Sequence, residues 1–199
     1  DWDGDGLDTP GMYRPSNGFA YLTNTLPSNG GIGAGEIEFF FGIPGDQVFV
    51  GDWDGINGDS LGISRNGQIF LRNTNSTGFA DLEFWFGLPA DIAFGADTDG
   101  DGKDSVIVYR QSNSFAYYTD DTSQGVAPTD GQLFFGIPGD QFVMGEWDGD
   151  GIVTLTMDDP TQGANTMNAL AKLVNLQDNQ LAIPRPGVAG AAAVTLATE

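Results

Sequence analysis

The sequence predicts a mainly β protein made of short strands and tight turns, and three observations favour this class. Glycine accounts for 30 of the 199 residues, and Phe, with 14 copies, is the commonest aromatic residue. This combination is typical of short strands joined by turns rather than of long helices. The other two observations are two short sequence blocks that recur in a common register along the chain.

An Asp-rich block recurs about every fifty residues. The copies begin at Asp1, Asp52, Asp97 and Glu146, with spacings of 51, 45 and 49 residues. The first copy has the sequence Asp-Trp-Asp-Gly-Asp-Gly, and the other copies keep most of it. Self-similarity at a period of this length is the signature of a repeat architecture.

Two further features keep the same register. A Phe-Gly-x-Pro-x-Asp turn occupies 41–46, 86–91 and 135–140. An Arg stands thirteen residues after the start of each of the first three Asp-rich blocks, at Arg14, Arg65 and Arg110. We expect these side chains to pair with a repeat carboxylate or with backbone carbonyls.

Each repeat carries the signals of four short strands. In the first copy these are 9–13, 19–23, 36–41 and 47–51, the last of which runs directly into the next Asp-rich block. The first two strands are separated by a Ser-Asn-Gly turn, in which Asn-Gly supplies the positive φ angles that a tight hairpin requires. Four strands in just under fifty residues is the size of one β-propeller blade.

The sequence thus predicts three four-stranded propeller-like blades and a partial fourth within residues 1–157, followed by a C-terminal segment, 158–199. The blades are 1–51, 52–96, 97–145 and the partial 146–157. In the C-terminal segment, apolar residues at helical spacing predict a short helix over 165–177, and the small and β-branched residues of 187–198 predict a tail strand. We expect this segment to cap the array or to take part in assembly.

Charge and composition exclude several classes of partner and chemistry. The net charge is −21, from 28 acidic and 7 basic residues, and such a charge repels nucleic acid and anionic membrane surfaces. We therefore expect no nucleic-acid binding, and because no run of about eighteen apolar residues is present we expect no membrane insertion. The chain contains no Cys and no His, which excludes disulfides and the usual transition-metal ligands. Oxygen ligands remain, and these suit hard cations such as calcium.

The Asp-rich block has the composition of a calcium-binding loop. Carboxylates at alternate positions of a tight turn point at one centre, and Gly at the sixth position permits the sharp bend. Calcium takes six to eight oxygens in flexible geometry, whereas magnesium demands stricter octahedral geometry. The four blocks contain half of the acidic residues, a clustering that like-charge repulsion disfavours without cations. The alternative is an Asp- and Gly-rich turn that binds no metal.

The four loops are unequal. The first and third have a full set of carboxylates, whereas Ile56 replaces the third carboxylate of the second loop and Val153 the last acid of the fourth. In loop order, the candidate calcium ligands are Asp1, Asp3, Asp5 and Asp8; Asp52, Asp54, Asn57 and Asp59; Asp97, Asp99, Asp101 and Asp104; and Glu146, Asp148 and Asp150.

The Asp-Trp-Asp-Gly-Asp-Gly loops, the Gly-Ile-Pro-Gly-Asp turns and their spacing resemble the FG-GAP or VCBS-type repeats of bacterial extracellular proteins, relatives of integrin α-subunit blades. The resemblance covers about residues 1–157. It implies a β-propeller fold, calcium in the loops that join blades, and secretion. The chain departs from the family in having fewer than the usual number of about seven blades. It also lacks the acid at the ninth loop position, where it has Thr9, Ser60, Ser105 and Thr154.

Aromatic residues that recur in register are expected to be structural. Trp2, Trp53 and Trp147 are predicted to be wedges between adjacent blades. A second set, around the end of each third strand, is predicted to lie in the core, although a consecutive run has two faces. This set comprises Phe39, Phe40, Phe41, Phe84, Trp85, Phe86, Phe134 and Phe135.

The sequence contains no nucleophile with a nearby base and no phosphate-binding loop, so we expect no enzymatic activity. Repeat arrays with open ends require caps or neighbours. We therefore expect a self-assembling structural subunit of an extracellular filament or surface layer, whose partners are copies of the same chain. The alternatives are an adhesion or carbohydrate-binding module, which binds a glycan or cell-surface ligand through variable loops such as 28–35 and 120–131, and a fragment of a larger closed propeller.

Overall fold

The structure, a computed structural model, describes residues 1–26, 35–56, 58–138 and 140–145. These residues form eleven strands and no helix, which confirms the mainly β class; no helix of this part of the chain is long and apolar enough to cross a membrane. The partial fourth blade, the helix predicted over 165–177 and the tail strand over 187–198 lie outside the described residues. The strands are β1 (Gly11–Arg14), β2 (Phe19–Leu22), β3 (Ile37–Phe40), β4 (Gln47–Gly51), β5 (Ser60–Arg65), β6 (Gln68–Leu71), β7 (Leu82–Trp85), β8 (Ile92–Ala96), β9 (Ser105–Arg110), β10 (Phe115–Thr119) and β11 (Gly131–Phe134).

The strands form three antiparallel sheets in which neighbours in sequence are neighbours in space. Sheet A has the order β1-β2-β3, sheet B β4-β5-β6-β7 and sheet C β8-β9-β10-β11. Equivalent hairpins keep the same register, since Arg14 lies opposite Phe19 in sheet A and Arg110 lies opposite Phe115 in sheet C. The repeat in the sequence is therefore a repeat in the strand pairing.

Each sheet is shifted by one strand relative to the blades predicted from the sequence. We expected the strand before each Asp-rich block to close a blade, but β4 pairs with β5 and β8 pairs with β9. The Asp-rich block is therefore a loop between two strands of one sheet, and the Gly-x-Pro-x-Asp turn connects one sheet to the next. As a consequence, sheets B and C have four strands and sheet A has three.

The apolar core lies between successive sheets. Leu22 and Phe39 of sheet A share a buried cluster with Ile63 of sheet B. Phe84 of sheet B packs in the same way in a cluster with Val108 of sheet C. Because alternate side chains of a strand point to opposite faces, sheet B uses one face for sheet A and the other for sheet C.

The aromatic runs alternate between the core and the surface. Phe40 and Trp85 are 39% and 48% exposed, so the prediction that they lie in the core was wrong; each occupies the outward position of its strand. Phe134 and Phe135 are half-buried. The prediction is confirmed for the flanking positions, which are buried: Phe39, Phe41, Phe84 and Phe86.

Trp53 is a wedge between two sheets, as predicted. Its side chain is buried, and its ring packs edge-on against Phe49 with the centroids 5.3 Å apart. On its other side it contacts Gly95 of sheet C so closely that a Cβ there would lie 2.6 Å from Cη2 of the indole. Trp2 packs on the cluster between sheets A and B, and its indole N–H donates to the Thr9 carbonyl at 2.9 Å. Trp147 lies outside the described residues.

A bidentate ion pair, here called the turn clamp, fixes the connection between sheets. Arg65 donates from Nε and Nη2 to the two carboxylate oxygens of Asp46, both at 2.7 Å. Arg110 binds Asp91 in the same way, at 2.9 and 2.7 Å. Both carboxylates are buried and also accept a backbone N–H of their own turn. The prediction of a repeat carboxylate partner is thus confirmed for these two Arg residues, whereas Arg14 donates to the Tyr21 hydroxyl instead.

The outer edge of a sheet is covered by a loop of the next sheet. The Trp85 N–H of β7 donates to the Gly125 carbonyl at 2.7 Å, and the Trp85 carbonyl accepts from the Ala127 N–H at 3.0 Å. In sheet A the Phe40 N–H of β3 donates to Thr77 Oγ1. These bonds satisfy edge groups that otherwise pair with foreign strands.

Replacement of the wedge tests the packing between sheets. Trp53→Ala leaves a cavity between sheets B and C, and we expect the free energy of unfolding to fall by about 3–5 kcal/mol in urea titrations. Phe79→Ala is the matched control, because Phe79 is 94% exposed and its loss is expected to change stability by under about 0.5 kcal/mol. Equal urea midpoints of unfolding for the two variants would contradict the role of Trp53 as a wedge between sheets B and C.

Replacement of Asp91 tests the turn clamp. Asp91→Asn removes the charge from a buried carboxylate and leaves Arg110 without its partner, so we expect a loss of roughly 2–3 kcal/mol in unfolding free energy. The control is Asp81→Asn, because Asp81 lies 3.5 Å from Arg72 and its side chain is 43% exposed. A more exposed pair contributes under about 1 kcal/mol, so a larger loss for Asp81→Asn than for Asp91→Asn would refute the assignment.

Candidate metal centre

The first and third Asp loops each gather three carboxylates. Within each loop, one carboxylate oxygen per residue lies within 4.8 Å of the other two. The first member of each trio is half-buried and the other two are exposed, so both clusters open toward solvent. The trios are Asp1, Asp3 and Asp5, and Asp97, Asp99 and Asp101.

The first carboxylate of each loop organises the turn. Asp97 Oδ1 accepts the Gly100 N–H at 2.7 Å, and its Oδ2 accepts the Gly102 N–H at 2.9 Å. Both Gly residues have positive φ, 81° and 84°, a conformation that turns their N–H groups inward and that other residues adopt at a cost. The first loop repeats both bonds. The chain thus winds around one carboxylate, which explains the fixed positions of Asp and Gly in the sequence.

The other two carboxylates of the third loop retain oxygens for a further partner. Asp99 Oδ1 accepts the Asp101 N–H at 3.1 Å, and Asp101 Oδ1 accepts the Lys103 N–H at 2.8 Å. These bonds hold each side chain in place through one of its oxygens only. An arrangement of hard oxygen donors with spare lone pairs fits calcium, which binds carboxylates in mono- or bidentate fashion.

The second loop has the same turn with fewer carboxylates. Asp52 Oδ1 accepts the Gly55 N–H at 2.8 Å, and Asp54 Oδ1 accepts the Ile56 N–H at 3.1 Å. The Ile56 side chain is 75% exposed and occupies the third acidic position. Asn57 lies outside the described residues, and so do the fourth-loop ligands Glu146, Asp148 and Asp150.

The acid at the eighth loop position reaches the preceding loop. Asp104 Oδ2 accepts the Asp52 N–H at 2.9 Å, while the Asp104 N–H donates to the Asp52 carbonyl at 2.7 Å. Asp59 forms the same pair of bonds with Asp1, at 2.8 and 2.6 Å, with the Asp1 amino group as donor. We call this pair of bonds the inter-loop clasp. It differs from the predicted role, in which the eighth acid completes the ligand set of its own loop.

Asp8 forms no inter-loop clasp among the described residues. Its side chain is 97% exposed, and one of its oxygens lies 3.2 Å from the Asp1 amino group. None of the three eighth-position acids belongs to the trios of the described loops. The structure therefore brings together six of the predicted ligands, in two sets of three, and assigns Asp59 and Asp104 to the connection between loops.

Negative charge accumulates where the clasps meet the loops. The pKa of Asp104 is raised to about 7, mainly by burial; the charges of Asp59, Asp52 and Asp97 act in the same direction, and the hydrogen bond from the Asp52 N–H opposes them. Burial also raises the pKa of Asp52. Carboxylates in such surroundings resist ionisation unless a cation lies nearby.

Asp120 is a carboxylate near the third loop that the sequence analysis missed. Burial raises its pKa, and the charges of Asp99 and Asp101 act in the same direction, whereas a hydrogen bond from Ser105 opposes them. The repeat contains the signal that identifies it. The Asp120 N–H donates to the Asp130 carboxylate, and the N–H of Asn73, the equivalent residue of the preceding repeat, donates to a carboxylate in the same way. Asp thus replaces Asn at this position beside the third loop.

Comparison with family models, with curated proteins and with solved structures finds no match for the chain.

Proposed function

We propose that the protein is a calcium-stabilised structural repeat protein that assembles with copies of itself into an extracellular filament or surface layer. The observation that carries the proposal is the carboxylate trio, formed twice in loops that clasps join into one row. A row of clustered carboxylates repels itself, and bound calcium turns this repulsion into attraction between the loop and the ion.

The donor set supports calcium over other metals. The trios offer oxygen only, in a chain without His or Cys, and hard cations prefer such ligands. The second and third carboxylates of each trio are exposed, which leaves room for the water molecules that complete the six to eight oxygen ligands of a calcium ion. Weak, open sites of this kind suit extracellular calcium, where modules bind with dissociation constants of about 10⁻⁴–10⁻³ M.

We also propose that the sheets are blades of a propeller-like array. Three segments line one cavity of about 490 Å³, namely β4, β8 and 142–145. Each comes directly before an Asp-rich block, and β4 and β8 are the first strands of sheets B and C. In a propeller the innermost strands surround a central channel, and the shared cavity supports this position for them.

Carbohydrate binding is the second candidate, because one exposed aromatic residue borders a polar recess. Trp85 is 48% exposed, and beside it lies a cavity of about 240 Å³ that is also lined by Arg110, Tyr117 and Thr129. An exposed ring next to hydroxyl and guanidinium groups suits the faces and hydroxyls of a sugar.

The third acidic position of the second loop offers a gain-of-function test of calcium binding. Ile56→Asp supplies the missing carboxylate on an exposed site, so we expect calorimetric titration to show one additional calcium ion per chain and a higher melting temperature in calcium. Ile56→Ser is the control, since it is polar but carries no charge. Excess chelator should remove the difference in melting temperature between the two variants. The calcium proposal would be refuted if titration showed no heat of calcium binding and the melting curves with and without chelator were identical.

Electron microscopy of the purified chain with and without calcium tests assembly. We expect ordered polymers in millimolar calcium, and their loss in chelator, because the loops hold the sheets in place only when their charge is neutralised. Monomers at every calcium concentration, together with glycan-array binding that Trp85→Ala abolishes, would establish the second candidate instead.

A further inference from the structure

The cavity beside Trp85, here called the Trp85 recess, has an apolar rim that two chain segments build together. Trp85 of β7 and Val126 form a parallel bridge, and the backbone bonds of Trp85 with Gly125 and Ala127 hold the two residues side by side. The two side chains are 48% and 84% exposed. Apolar groups that the backbone already holds in place bind a ligand with little loss of conformational entropy.

The Trp85 recess reaches the core between sheets B and C. Its volume is about 240 Å³, and its lining includes Phe86, Val108 and Ala127, which are buried. Pockets that enclose drug-sized ligands start at about 300 Å³. The recess therefore has room for a single small ring, and the rest of a longer ligand stays outside it.

Arg110 and Tyr117 supply hydrogen-bond donors in the same lining. The turn clamp with Asp91 uses Nε and Nη2 of Arg110, which leaves Nη1 without a hydrogen-bond partner among the described residues. The guanidinium lies over the Tyr117 ring, 4.6 Å from its centroid. The Tyr117 hydroxyl oxygen accepts from Asn113 at 3.1 Å, so its own O–H remains to donate. Contacts within the protein thus hold both donors in place before a ligand binds.

The packing of the repeat does not require the Tyr117 hydroxyl. At the equivalent position of sheet B, Phe70 lies under Arg65 with a guanidinium-to-centroid distance of 4.8 Å. A phenyl ring therefore completes this stack as well as a phenol does. Tyr117 adds a donor to the recess beyond what the fold needs, and Thr129 adds a second hydroxyl from the loop before β11.

The Trp85 recess offers donors without a net charge. The charge of Arg110 is balanced by Asp91 at 2.7 Å, and Arg110 is the one charged residue among the described residues that line the recess. The whole chain carries a net charge of −21, which repels anionic ligands. These two facts favour a neutral ligand that has oxygen acceptors.

We propose that the Trp85 recess binds one neutral pyranose ring of a glycan, with its ring hydroxyls equatorial. Equatorial hydroxyls leave the axial C–H groups as an apolar face, and this face packs on Trp85 and Val126. The hydroxyl oxygens, which radiate in the plane of the ring, accept from Arg110 Nη1 and the Tyr117 hydroxyl. This inference rests on the carbohydrate binding proposed above and names the class of sugar.

Saturation-transfer NMR of the full chain with methyl β-glucopyranoside tests the site, because the method detects the ligand whether the protein is monomeric or assembled. We expect saturation to be strongest at the axial protons of one ring face. The dissociation constant should be about 1 mM, since one ring makes few contacts. The matching glucuronide carries a carboxylate, so it should bind more weakly at low ionic strength, and added salt should reduce the difference.

Three variants locate the sugar. Trp85→Ala should abolish the saturation, because it removes the larger apolar group of the rim. Tyr117→Phe removes one donor and keeps the ring that sheet B has at this position, so we expect binding about 5-fold weaker and an unchanged melting temperature. Tyr21→Phe is the matched control. It removes the equivalent hydroxyl of sheet A, outside the recess, and should bind like the unmodified chain.

The outcomes separate this assignment from carbohydrate binding itself. If the glucuronide binds as tightly as the glucoside, or Trp85→Ala retains the saturation, the assignment is wrong and carbohydrate binding stands. If neither sugar is saturated by the unmodified chain, carbohydrate binding is refuted as well. Saturation of a tetraproline peptide that depends on Trp85, without saturation of the sugars, would make the recess a peptide site and overturn the proposal.

Discussion

The apolar faces of sheets A and B are each buried by the first two strands of the sheet that follows. Phe39 of sheet A shares a buried cluster with Ile63 of sheet B, and Phe84 of sheet B shares one with Val108 of sheet C. A sheet of three or four short strands buries too little apolar surface to be stable alone. Each sheet therefore depends on its neighbours for stability, and the wedge, the turn clamps and the clasps all act at the boundary between successive sheets.

This dependence explains why charged groups are tolerated in buried positions. Asp46 and Asp91 are buried, yet each has a bidentate Arg and a backbone N–H that compensate for lost hydration. Asp104 has only the Asp52 N–H and lies among like charges. The turn clamps are electrostatically complete within the protein, whereas the described carboxylates of the loops are not. Under the proposed function, calcium completes the loops and acts on the same boundaries that the apolar core already holds.

The repeat register predicted the strands well, and it predicted the role of Arg65 and Arg110, because local turn chemistry and spacing determine both. It did not predict which strands share a sheet. A hairpin through the Asp loop and a hairpin through the Gly-x-Pro-x-Asp turn have similar local signals, and the contacts that accompany the observed pairing, such as that of Trp53 with Gly95, are made between sheets. The clasp of Asp104 was missed for a related reason: its partner Asp52 lies in another repeat, and spacing within one loop contains no information about it.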